Sequence, residues 1–256
     1  MESRKVVVIL LAFSLLSSVF FAPACLGSAT YSGSLQYTPP APPGTSDGLF
    51  VSGEQWAAYT ITFSWTVTDA DTTYPAYPWK YEYEMKLSGT AHAFSHIIVE
   101  TSDDLTADDI YGLTGATLDS VKLQTVQSGN PGMPEDVYGT RFFPLSSGVT
   151  DMIWSFYSDR QPVWGDFYAK DGGNPVDIAY NYNMDASGVE RGFLDPDGVD
   201  TNRDDIDPTA GPSNGSIDFH ILRPDTVGVV VPAPGALLLV GIGAGLVTWT
   251  RRRRML

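Results

Sequence analysis

Residues 195–207, DPDGVDTNRDDID, gather Asp195, Asp197, Asp200, Asp204, Asp205 and Asp207 around Asn202. Hard oxygen donors at every second or third position of a glycine-containing loop are the ligand pattern of Ca²⁺, which would also relieve repulsion among the carboxylates. The candidate calcium set is Asp195, Asp197, Asp200, Asn202 and Asp204, and the sequence points to no other cofactor. The spacing Asp200, Asn202, Asp204 begins like an EF-hand loop and then departs from it. Asp205 stands where the turn glycine belongs, and Gly211 where the bidentate acid belongs. A solvated acidic loop is the alternative.

His92 and His96 fall on one face of an alternating stretch with Phe94 between them, a pair of imidazoles that could serve a metal. Their separation along an extended strand is long for one ion, and the sequence names no third ligand. Structural histidines with hydrogen-bonded rings are the alternative. Gly44-Thr45-Ser46-Asp47-Gly48 matches the nucleophile-elbow spacing GxSxG, which requires a strand before the serine and a helix after it. Here Pro39, Pro40, Pro42 and Pro43 precede it and a strand-like Leu49-Phe50-Val51 follows, so the match reads as chance. The many acids identify no particular pair for glycoside hydrolysis, and the body reads as noncatalytic. Aromatic rings offer a different chemistry, the holding of sugar faces. Trp65 and Trp154 lie on apolar faces and read as core, whereas Trp79, beside Pro78 in a turn-like segment, is the candidate exposed platform.

The elements that must position these groups are strands. In YTITFSWTVT, residues 59–68, Tyr59, Ile61, Phe63, Trp65 and Val67 share one face and Thr60, Thr62, Ser64, Thr66 and Thr68 the other. The same period predicts strands over 31–37, 81–88, 91–100, 118–127, 137–143, 152–158, 163–170, 178–183 and 216–222. With turn residues between them, these about ten strands predict an all-β fold, an antiparallel β-sandwich or jelly-roll-like single domain over 30–226. The one helical pattern is 103–113, with Thr106 as its cap.

Both ends differ from this body. Residues 1–29 carry the parts of a secretory signal peptide: Arg4 and Lys5, an apolar stretch over 6–22, and Gly27-Ser28-Ala29 before a cut that leaves Thr30 first. Cys25, the single cysteine, would leave with it; cleavage and acylation at Cys25 is the lipoprotein alternative. Stability then rests on a buried core without disulfides. Residues 227–250 hold no charge and are long enough for one transmembrane helix, and Arg251, Arg252, Arg253 and Arg254 would stay on the cytoplasmic side, leaving the body outside. Of the 15 Lys and Arg, two lie in the first segment and four in the last, leaving 9; of the 30 Asp and Glu only Glu2 is lost, leaving 29. The body thus carries a net charge of −20, which repels phosphate backbones and excludes nucleic acid as a partner.

The order Pro232-Ala233-Pro234, Leu237-Leu238-Leu239, a glycine-spotted apolar helix and a terminal arginine cluster resembles the PEP-CTERM sorting signal of Gram-negative bacteria. Ala233 replaces that family's usual central glutamate. The resemblance implies sorting residues Pro232, Ala233, Pro234, Arg251, Arg252, Arg253 and Arg254 within residues 227–256. It implies signal peptidase and an exosortase-type membrane protease as partners. The chain would be exported, held in the inner membrane by its tail, cut near Pro232-Ala233-Pro234, and passed to the cell surface or medium. Residues 155–173 and the stretch 214–226 are similar to segments of extracellular proteins that bear the same tail, which supports placement and supplies no catalytic residue. The expected role is a noncatalytic structural or adhesive one associated with exopolysaccharide or biofilm. A carbohydrate-binding module is the alternative, and a polysaccharide hydrolase a third reading.

Overall fold

A computed structural model of the chain describes residues 28–39, 48–89, 92–182 and 219–224. Within these, the alternating stretches become β1 (Thr30–Tyr37), β2 (Leu49–Ser52), β3 (Ile61–Thr68), β4 (Trp79–Leu87), β5 (Phe94–Glu100), β6 (Tyr111–Thr114), β7 (Ala116–Gln124), β8 (Val137–Pro144), β9 (Asp151–Ser158), β10 (Pro162–Gly165), β11 (Phe167–Asp171), β12 (Ile178–Asn181) and β13 (Ile221–Pro224). The period of two is visible directly in β3, where Ile61, Phe63, Trp65 and Val67 are buried and each intervening Thr or Ser is half-buried. Burying such a row removes its apolar surface from water and leaves the hydroxyl face wet, worth about 1.5–3 kcal/mol for each large side chain.

The strands pair antiparallel into a five-stranded sheet, β1-β3-β4-β9-β6, and a six-stranded sheet, β2-β12-β11-β5-β8-β7, with β10-β13 as a separate ribbon. The two large sheets meet across one aromatic core. Phe63 of the first stacks on Phe167 of the second at 4.0 Å, and Phe142 of the second packs on Trp154 of the first at 5.7 Å. The ribbon closes one side, with Trp164 set edge-on to Trp65 at 6.5 Å. The described residues therefore form an all-β, β-sandwich-like fold, as the alternation predicts. A second apolar layer lies on the other face of the six-stranded sheet, where Ile98, Val137, Tyr168, Ile178 and Tyr180 cluster with Met133. That layer buries β5 almost completely.

Several local expectations change. Residues 163–170 do not form one strand; the chain breaks at Asp166, so that β10 pairs with β13 while β11 joins the six-stranded sheet. The predicted helix over 103–113 is a single 3₁₀ turn, Ala107–Asp109, followed by β6. Thr106 does close that turn, because the Asp109 carboxylate accepts its backbone N–H at 2.7 Å and its hydroxyl at 2.9 Å. The chain then crosses from one sheet to the other at Gly115, between β6 and β7. Its φ of +78° and the Ile153 carbonyl oxygen packed against it leave no room for a Cβ.

Residues 183–218, with the calcium set Asp195, Asp197, Asp200, Asn202 and Asp204, lie outside the described residues. So do the signal segment up to residue 27, the proline stretch 40–47, and the tail from 225 onward with its predicted transmembrane span. Among the described residues no helix is long and apolar enough to cross a membrane.

Candidate functional site

The two histidines of the sequence-based metal pair go separate ways. Phe94 pairs with Asp171 and His96 with Lys170, so the residue between, Ser95, is one extra against β11. This bulge turns Phe94 into the core and His96 to the opposite face. His96 is buried, and its Nε2 lies 2.8 Å from Asn130 Oδ1. Asn130 Nδ2 donates to the Thr125 carbonyl at 2.9 Å, which aims Oδ1 at the histidine and leaves the proton on Nε2. Burial pushes the His96 imidazole down to about 4 despite that bond. His96 is the hydrogen-bonded structural histidine of the alternative reading.

His92 meets different partners. Its Nδ1 lies 2.8 Å from Asp171 Oδ2 and 3.3 Å from Asp177 Oδ2. Asp171 ends β11 and Asp177 immediately precedes β12, so the hairpin between them delivers both carboxylates to one place. The hairpin is closed by the same residues: Asp171 N donates to the Asp177 carbonyl at 3.0 Å, and Asp177 N donates to Asp171 Oδ1 at 2.9 Å. Asp177 Oδ1 accepts the Gln55 N–H at 3.1 Å. Each carboxylate thus spends Oδ1 on the backbone and turns Oδ2 toward His92. The His92 main chain is fixed in turn, because its carbonyl accepts Nε1–H of the buried Trp56 at 2.8 Å. Burial, and then the nearby Asp171 carboxylate, push the Asp177 carboxyl up, opposed by the Gln55 N–H. Gly173 packs so close that a Cβ there would lie 2.5 Å from Asp171 Oδ2 and 2.6 Å from His92 Nδ1. Asp171 and Asp177 are buried, whereas 44% of the His92 side chain is exposed, so the trio opens to solvent through the imidazole.

A tyrosine cluster occupies another part of the surface. Tyr77 stacks on Tyr111 at 4.6 Å, and Tyr74 sets its ring edge-on to both Tyr111 and Tyr157. Tyr157 Oη donates to Asp71 Oδ2 at 2.8 Å. The hydroxyl and N–H of Thr73, together with that phenol, hold the Asp71 carboxyl down at about 2. Tyr111 is 44% exposed. Trp79, the expected platform, lies elsewhere. It opens β4, not a turn, and extends the inward row Tyr81, Tyr83, Met85 and Leu87. Half-buried, it stacks on Tyr31 at 6.3 Å and closes one end of the core.

No family model matches this chain, and neither does any curated protein or solved structure.

The remaining buried charges form a network. Arg223 of β13 reaches Glu100 Oε1 at 3.3 Å and Ser102 Oγ at 3.1 Å, while Glu100 Oε2 accepts the Asp166 N–H at 2.8 Å. Asn181 Nδ2 donates to Asp166 Oδ1, and Asn181 Oδ1 accepts the Phe167 N–H at 2.9 Å. Burial pushes the Asp166 carboxyl up against the pull of His220 and Arg223. This network ties β13 to the body. Arg160 sits between Asp104 at 3.0 Å and Asp109 at 3.3 Å, with Asp159 at 4.0 Å. The sequence offered one sign of the His92 trio, the glycine-rich DGGNPVD turn with an acid at each end. It offered none that His92 would close it, since that pairing spans 79 residues.

Proposed function

We propose that this chain is an exported, noncatalytic β-sandwich protein of the bacterial envelope or extracellular matrix. Its N-terminal segment directs secretion, and its tail is processed by an exosortase-type protease. The observation that carries this reading is the pairing of a secretory-type N-terminus with the Pro232-Ala233-Pro234, apolar and Arg251-to-Arg254 order at the other end. The described body supports it: an all-β core rich in aromatics needs no disulfide, and the acidic exterior suits a cation-rich matrix. The test is the mass of the protein recovered from the envelope and from the medium of its native host. Loss of about the first 29 residues and of everything after the Pro232 region is expected. Released protein that keeps Arg251 to Arg254 would overturn the reading.

A second reading, binding of matrix polysaccharide, is favoured by the tyrosine cluster. Stacked phenol rings beside Asp71 and Lys80 offer both a flat apolar surface and polar groups for sugar hydroxyls. On this reading Tyr77→Ala with Tyr111→Ala weakens retention on matrix polysaccharide about tenfold without loss of the fold. Retention equal to that of the parent chain would remove it.

A further inference from the structure

We propose that His92, Asp171 and Asp177 form a binding site for a divalent transition-metal ion of the zinc type, with His92 Nδ1 and Oδ2 of each aspartate as ligands.

The donor separations fit one ion. Three donor atoms, one nitrogen and two carboxylate oxygens, lie within 4.8 Å of one another. Donors bound about 2.0–2.2 Å from a shared ion and set roughly at right angles to tetrahedrally lie about 2.8–3.6 Å apart. The separations of 2.8 Å and 3.3 Å from His92 Nδ1 fall in that interval.

One carboxylate oxygen is left over. Nδ1 of an imidazole carries at most one proton, and Asp171 Oδ2 at 2.8 Å takes it. Asp177 Oδ2 then has no hydrogen-bond partner, although Asp177 is only 1% exposed and this atom points at the histidine. An unsatisfied buried carboxylate oxygen is costly. A cation in place of the shared proton satisfies both Oδ2 atoms and balances the two carboxylate charges.

The ligands are preorganised. Each Oδ1 is held by a backbone N–H, from Asp177 or from Gln55, and the His92 carbonyl is held by Trp56, so the ligand atoms are aimed before any ion arrives. The glycine at 173 leaves the space directly against them. One imidazole with two carboxylates suits zinc and its first-row neighbours, whereas calcium prefers an all-oxygen set of six to eight ligands. The ion would clip the β11–β12 turn to the chain entering β5 and keep positions open toward solvent on the His92 side.

The full chain, purified in mild detergent, stripped with chelator and dialysed against zinc chloride, tests this by metal content and by the visible spectrum after cobalt(II) substitution. One tightly held zinc per chain is expected, not displaced by millimolar calcium, and the stripped chain loaded with cobalt(II) instead should show d–d bands. His92→Ala, at an exposed position, should lower affinity at least tenfold and abolish those bands while the far-ultraviolet circular dichroism stays unchanged. Asp177→Asn should do the same, and His92→Ala decides the matter should Asp177→Asn unfold. Zinc bound by residues 195–207 would be indifferent to His92→Ala. Failure of the parent chain to retain zinc overturns the proposal, as does retention unaltered in His92→Ala or displacement of zinc by calcium.

Discussion

Two histidines four residues apart show how environment decides chemistry. His96 is held neutral by burial, which outweighs the bond to Asn130 and pushes its imidazole down to about 4 from an ordinary value near 6.5. The folded state therefore binds fewer protons than the unfolded chain between these values. Its contribution is fully present above about pH 6.5 and is lost progressively as pH falls toward 4, amounting to about 3 kcal/mol. Urea unfolding midpoints measured from pH 7.5 to 4.5 should fall in the parent chain. His96→Gln, which keeps a donor for Asn130, should flatten that part of the profile; an unchanged slope in the variant would show that His96 titrates freely. The sequence carried half of this. It marked both residues as structural or metal-binding candidates, and the bulge at Ser95, set by pairing with β11, assigned one to each fate.

At the scale of elements, among the described residues β13 has four residues and pairs with β10 alone, itself of four. Its anchorage comes from Arg223 on Glu100, and from the Leu222 carbonyl, which accepts the Tyr83 hydroxyl at 2.9 Å. Removing one member of a buried ion pair strands the other without compensation, at a cost of about 3–5 kcal/mol. Arg223→Met should lower the free energy of unfolding in urea by that amount, and the double variant with Glu100→Gln should recover part of it. An additive double variant would show that the two groups do not depend on each other. Strand existence was legible wherever one face is wet, as in β3 and β4. It was less so in β5, because the layer over the second face of its sheet buries nearly every residue and erases the alternation. The break at Asp166 was not legible either. Residues 163–170 alternate acceptably through it, and the reason to part is the distant pairing of β10 with β13.

For the molecule as a whole, a continuous core draws buried side chains from both large sheets and from the β10-β13 ribbon. Neither sheet can keep its apolar face covered without the other, so unfolding should be concerted. Tryptophan fluorescence and far-ultraviolet circular dichroism are expected to trace one coincident transition in urea; two separated transitions would mean that the sheets are independent. Clipping by zinc at His92 would add to this stability with the logarithm of the free ion concentration, a linkage that the same titration can read. What the sequence determined alone was the all-β class and the inward and outward faces of the regular strands. Those properties depend on local period, charge and length, each of which is written in consecutive residues. Tertiary structure decided the rest. Trp79 became the end of an inward row, Tyr74, Tyr77, Tyr111 and Tyr157 became neighbours, and His92 came to face Asp171 and Asp177. Such meetings are fixed by which strands pair and where a bulge falls, and the energy that selects a pairing is the burial of the entire shared core.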